Sequence, residues 1–161
     1  MRRPWFTLKP VDESFFDSAP VVLRETFEIG RPAAEVWREL TGSAPLHWCR
    51  VIDRITWTSP EPRGVDSTRT VSSLKGLNVL KEHFFRWDEG RRKSFYVTEG
   101  TTPLFRRFAE DYVVEPVSDS SCRFTWTIAY EAPAAARPGD ALNRRLLGSL
   151  FTDTRKYFGA R

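Results

Sequence analysis

Two acidic side chains and one arginine fall where an extended chain would aim them at apolar neighbours. Residues i and i+2 of a strand share a face. In the stretch from Phe105 to Glu115, Phe108, Glu110, Tyr112 and Val114 therefore lie together, opposed by Arg107, Asp111 and Glu115. A carboxylate on the apolar side must be hydrogen-bonded, paired with a cation, or carried at a raised pKa. Val21, Leu23, Phe27 and Ile29 repeat the pattern with Glu25 among them. Arg69 is the cation expected to pair with an inward acid. Such a pair could orient a ligand carbonyl, with Glu110 as a general base if its surroundings raise its pKa toward neutrality. The same groups would also make a structural ion pair, and sequence alone leaves both readings open.

The aromatic residues suggest what surrounds these groups. Phe124, Trp126, Ile128 and Tyr130 share one face of another strand, opposite Arg123, Thr125, Thr127 and Glu131. Phe108, Tyr112, Trp126 and Tyr130 are expected to border one cavity suited to a flat, ring-bearing or acyl ligand. His47, beside Trp48, is expected near the cavity mouth, while the facing of Glu82 and His83 is not assigned. Neither histidine has a metal partner at useful spacing. No Gly-x-Ser-x-Gly elbow, P-loop or dinucleotide fingerprint occurs, so neither metal nor cofactor is expected. Cys49 and Cys122 lack CxxC spacing and read as reduced, packed thiols.

The elements that must position these residues follow a distinctive order. A strand from Val21 to Ile29 leads into a helix whose Ala33, Val36, Trp37 and Leu40 recur at helical spacing, with Pro32 at its first position and Gly42 at its stop. A second short helix is expected after Ser43, through Trp48. Strands are then expected at 50–57, 67–73, 79–87, 92–98, 105–115 and 122–131, with hairpin turns at Asp88-Glu89-Gly90 and Ser118-Asp119-Ser120-Ser121. The segment from Ala132 to Gly139 reads as a flexible connection into a final helix from Asp140 to Phe158, whose Leu142, Leu146, Leu150, Thr154 and Phe158 form an apolar stripe. Residues 1–20 are an extension rich in aromatic rings, ahead of one domain at 21–161. Trp5, Phe6, Phe15 and Phe16 are expected to pack on the domain or on a neighbouring subunit.

At 161 residues the chain suits one domain with a real core. Its formal charge of +4 is spread along the sequence rather than gathered into a stripe, which argues against a nucleic-acid partner. No stretch has the length of a membrane span, and the first residues lack the apolar run of a signal peptide; the expected compartment is the cytoplasm.

The chain resembles the SRPBCC (START-like) superfamily, specifically its polyketide cyclase/dehydrase and lipid-transport-like members. The resemblance is carried by Arg31-Pro32-Ala33-Ala34-Glu35-Val36-Trp37, Trp48, Gly64-Val65-Asp66-Ser67-Thr68-Arg69, Glu82 to Asp88, Val114-Glu115-Pro116 and Cys122 to Thr127, and spans about Val21 to Phe158. Asp66 stands where such proteins often have Gly, and the extension lies outside the similarity. The resemblance implies an α+β helix-grip fold: a seven-stranded antiparallel β-sheet around a long C-terminal helix, with two short helices between the first two strands and a cavity inside. It implies no universal catalytic residue. Three functions fit: binding or carriage of a small hydrophobic or aromatic ligand, lipid or polyketide-like; a cofactor-free polyketide cyclase or dehydratase; or an interaction module using the extension.

Overall fold

The computed structural model describes residues 1–161 and consists of one curled antiparallel sheet, a helix packed against two of its inner strands, and a long C-terminal helix held in its concave face. In chain order the elements are β1 (Phe6–Thr7), α1 (Phe15–Ser18), β2 (Val21–Ile29), α2 (Ala33–Thr41), β3 (Ile52–Trp57), β4 (Thr68–Ser73), β5 (Asn78–Asp88), β6 (Arg92–Gly100), β7 (Arg107–Ser118), β8 (Ser121–Glu131) and α3 (Asp140–Phe158). The sheet runs β2-β8-β7-β6-β5-β4-β3, with β1 attached separately to β6. This is the helix-grip arrangement that the resemblance implies.

Local chemistry sets the element ends. Pro32 is the N-cap of α2 rather than its first residue, and its carbonyl accepts from the amides of Glu35 and Val36. Gly42 follows the helix because a Cβ there would lie 2.9 Å from the Arg38 carbonyl oxygen, too close for any other residue without a shift. The second expected helix does not form: residues 45–48 make a turn closed by the Cys49 amide on the Leu46 carbonyl, and Leu46 sits at φ 58°. Asp66 also adopts a left-handed φ of 71°, which accounts for the glycine expected at that position. The connection before α3 is a 3-10 helix, Ala134–Gly139.

α3 lies with Asn143, Leu150, Phe151, Asp153, Thr154 and Phe158 buried. Leu142 does not join that stripe: it is 62% exposed, and Asn143 takes the inward place one residue later. Leu146 is half-buried. Phe151 meets Trp126 edge-on at 5.3 Å and Phe27 at 6.3 Å, so the helix is seated on β2 and β8 by ring contacts. Trp48 donates its indole N–H to Thr154 Oγ1 at 2.9 Å and stacks on Tyr157, tying the turn after α2 to the same helix.

The extension packs on the convex face. Phe15 and Phe16 of α1 are buried with Ala109 of β7 and Ala129 of β8, and Phe16 stacks on Phe85. Trp5 and Phe6, by contrast, are exposed. β1 pairs with Glu99 and Gly100, Leu8 donates its amide to Thr98 O and Lys9 to Arg106 O, and the Leu8 side chain enters the main core.

Candidate functional site

Between α3 and the concave face lies a cavity whose volume for the centres of water-sized spheres is about 110 Å³. That is several times the roughly 10–15 Å³ that admits one water. Of its 21 lining residues 15 are hydrophobic, and they come from the segment between α2 and β3, from β3, β4, the β4–β5 turn, β5, β7, β8, the Leu104-Phe105 loop and α3. The polar remainder is concentrated: Arg69 on β4, Glu82 on β5, Glu110 on β7, and Asn143 on α3, with Asn78 and Ser73 at the β4–β5 turn.

Arg69 and Glu110 both reach this cavity, but they do not pair. The Arg69 guanidinium bonds Glu82 through Nε and sits over the rings of Trp57, Phe84 and Phe95 at 5.4, 5.0 and 5.0 Å. Arg69 is 1% exposed and its Nη1 has no hydrogen-bond partner. Burial is the largest single influence and works against its charge, yet the neighbouring acidic groups, Glu82 foremost, together outweigh it and the arginine pKa is raised. Burial likewise pushes Glu82 up against the pull of Arg69 and Lys93.

Glu110 is held by neutral donors instead. Its Oε1 accepts from Trp126 Nε1 at 2.5 Å and from Tyr112 OH at 3.2 Å. Desolvation and then the nearby Glu82 raise its pKa to about 8, the two hydrogen bonds and Arg69 pulling the other way. At neutral pH the raised pKa favours the protonated carboxyl, the state in which it can donate a hydrogen bond. Tyr112 is pushed well up by burial and by Glu110, so it stays a phenol.

Lys93 completes the charged cluster beneath the cavity and was not found by sequence reasoning. Its Nζ donates to Leu40 O in the last turn of α2 at 2.7 Å and lies 4.7 Å from the Tyr112 ring centroid. Burial, with Arg69 beside it, holds the ammonium well below the ordinary lysine range. The signal was available: Lys93, Phe95 and Val97 alternate inward along β6.

The other expected site residues separate. Phe108, Tyr112 and Trp126 line the cavity. Tyr130 does not; it is buried behind Phe105 and Phe108 and donates its hydroxyl to Asp140. Glu25 also misses the cavity, because β2 is an edge strand and Arg155 of α3 pairs with it in the open at 2.8 Å. His47 is outside as well, its side chain 50% exposed, 3.9 Å from Glu39 and edge-on to Trp48 and Tyr157. His83 lies near Asp66 and Tyr96, away from the cavity. Cys49 is pushed up to about 12 by burial and remains a thiol, which removes it as a nucleophile.

Comparison with known sequences now bears on this arrangement. Residues 20–156 match the sequence model of the family described as polyketide cyclase / dehydrase and lipid transport. The chain belongs to that family. An uncharacterized protein of Mycobacterium tuberculosis is 35% identical over 153 residues, covering 92% of this chain and 90% of its own. Among solved structures, a START superfamily protein from Mycobacterium smegmatis superposes with a TM-score of 0.66 at 14% identity, covering 86% of this chain and 97% of its own. The Zhui aromatase/cyclase from a Streptomyces species gives 0.65 at 12% identity, covering 85% and 95%. At such identities the two structures speak for the shared fold alone. For this polyketide cyclase/dehydrase and lipid-transport family member, the cavity's polar cluster must be read from its own residues.

Proposed function

We propose that this protein binds a small hydrophobic ligand, lipid or polyketide-like, in the cavity between α3 and the sheet. The observation that carries the reading is an apolar cavity whose polar groups gather around Arg69, Glu82 and Glu110. Apolar walls supply affinity and a few placed polar groups supply orientation. Wild-type protein should bind N-phenyl-1-naphthylamine with enhanced probe fluorescence, and Leu147→Trp, which puts a larger ring on the cavity wall, should abolish the enhancement while circular dichroism stays unchanged. Equal probe binding by the filled variant would sink the reading. Native mass spectrometry of the purified protein would then identify any ligand carried from the host.

A second reading, a cofactor-free cyclase or dehydratase, is favoured by one observation: Glu110, with its raised pKa, and Arg69 line the same cavity. Glu110 would give its proton to a departing hydroxyl, and Arg69 would stabilise charge developing on a carbonyl oxygen. The Zhui structure's name supports this only by analogy of fold. Glu110→Gln should then abolish turnover of an identified polyketide substrate while leaving its binding within a few-fold.

A further inference from the structure

Glu110 presents its two carboxyl oxygens to different surroundings. Oε1 is spent inside the protein, accepting the Trp126 indole at 2.5 Å and the Tyr112 hydroxyl at 3.2 Å. Oε2 makes no hydrogen bond within the protein, and unlike Arg69 Nη1 it is not sealed from contact with a water-sized sphere. Since the residue is only 7% exposed and belongs to the cavity wall, that oxygen opens on the cavity. A carboxyl proton goes to the oxygen that is not already accepting, so the O–H is on Oε2 and faces the ligand space. The α3 side chains Leu146, Leu147 and Leu150 on the same cavity offer it no acceptor.

We propose that Glu110 is a specificity-determining residue whose Oε2–H donates to a carbonyl oxygen of the ligand, and that this ligand is uncharged and otherwise apolar. This rests on the reading of the cavity as a ligand site. The absence of charge follows from the wall: Arg69 is matched by Glu82 and Lys93 does not line the cavity, so an ionised head group would lose its water with no free cation to meet it. A carbonyl suits the site better than a hydroxyl, whose own proton would be left facing leucine. The titratable groups around the carboxyl are Glu82 of β5, Arg69 of β4, Lys93 of β6, Tyr112 of β7 and Cys49 beyond α2. β8 brings Trp126 to it, α2 turns Val36, Trp37 and Leu40 inward, and α3 gives the cavity Asn143 and leucines. Burial keeps Tyr112 and Cys49 neutral. Loss of the Glu110 proton, centred near pH 8, replaces the donor by an acceptor that repels a carbonyl.

The test compares tetralin with 1-tetralone, one ring frame without and with a carbonyl, titrated into ¹⁵N-labelled protein and followed by NMR at pH 6 and pH 9, on either side of the carboxyl's transition. At the lower pH the ketone should bind about fivefold tighter and should shift the Trp126 indole N–H signal, which reports the other oxygen of the same carboxyl. At the higher pH that preference should vanish. Glu110→Gln keeps an oxygen for Trp126 and Tyr112 and turns an NH₂ to the cavity, so its preference for the ketone should lose all dependence on pH. Equal binding of the two probes to the wild type at the lower pH would overturn this assignment alone. So would a preference that survives at the higher pH, or a pH response that Glu110→Gln retains, which would belong to Lys93 or Glu82. Absence of any cavity shift with either probe would overturn the ligand-site reading and this assignment with it.

Discussion

Trp126 of β8 donates its indole N–H to Oε1 of Glu110 on β7, a diagonal pair between adjacent strands that share the cavity wall. The bond lowers the carboxyl pKa against the larger effect of burial. Trp126→Phe keeps a ring on the wall but removes the donor. The Glu110 pKa should rise further above 8, seen by ¹³C NMR titration of the carboxyl. Stability should fall by about 1–3 kcal/mol, the cost of leaving a buried acceptor short of a partner. A carboxyl titrating near the ordinary glutamate value in the variant would contradict the assignment.

The same carboxyl predicts a pH dependence. Because its folded pKa of about 8 is raised above the ordinary glutamate value of 4.5, the folded state holds a proton that the unfolded chain releases. Its contribution is complete below the lower value and declines as pH rises through the interval, flattening above about 8. Glu110→Gln cannot titrate, so the stability of the wild type relative to the variant should decrease between pH 5 and 8, by about 1.4 kcal/mol for each unit of pKa difference at most. Parallel profiles from urea melts across that range would mean the carboxyl is ionised when folded.

Breaking the Arg69–Glu82 pair should be severe, while removing it whole should not. Arg69→Met leaves Glu82 buried without its cation and should cost about 3–5 kcal/mol. The double variant Arg69→Met/Glu82→Leu should be markedly more stable than the sum of the single losses, in a thermodynamic cycle measured by denaturant. Simple additivity would show that the two side chains are energetically independent.

The turn of α3 at which burial begins also predicts a contrast. Leu150→Ala should cost about 2–5 kcal/mol because the side chain is buried between helix and sheet. Leu142→Ala, at a 62% exposed position, should change stability by less than about 0.5 kcal/mol. Equal losses would place the helix in a different rotation.

How far these features are legible before the structure depends on where each residue sits in its strand. Turns and alternation locate β7 and β8 well, and Phe108, Tyr112 and Trp126 fall on the concave face because both strands pair in unbroken register there. Alternation fails on β5, where register shifts fall between Lys81 and Glu82 and between Phe84 and Arg86, so Phe84 and Trp87 turn the same way although three residues apart. This is why Glu82, the partner of Arg69, had no assignable face. Glu25 has concave-face parity, opposite Trp126, but alternation carries no information about which strand is the open edge. Tyr130 is likewise correct in parity and wrong in position, at the end of β8 near Asp140. In α3, Leu142 fits the periodicity, but the helix is rotated so that Asn143 faces inward at that turn and Leu142 faces out.

The short strand β1 ties the aromatic extension to β6. β6 and β7 pair only from Arg92 to Tyr96 on β6, and β1 with Leu8 and Lys9 occupies the space that opens as the two strands diverge toward the Leu104-Phe105 loop. The extension thus acts as a wedge bonded to both sides of the split, holding in place a loop that forms part of the cavity wall. A chain trimmed to the matched segment from residue 20 would lose that wedge, bare the backbone of Thr98 to Gly100 as an open sheet edge, and uncover Ala109 and Ala129 on the convex face. One stretch of the interior's wall is therefore buttressed from outside by residues that lie beyond the family likeness.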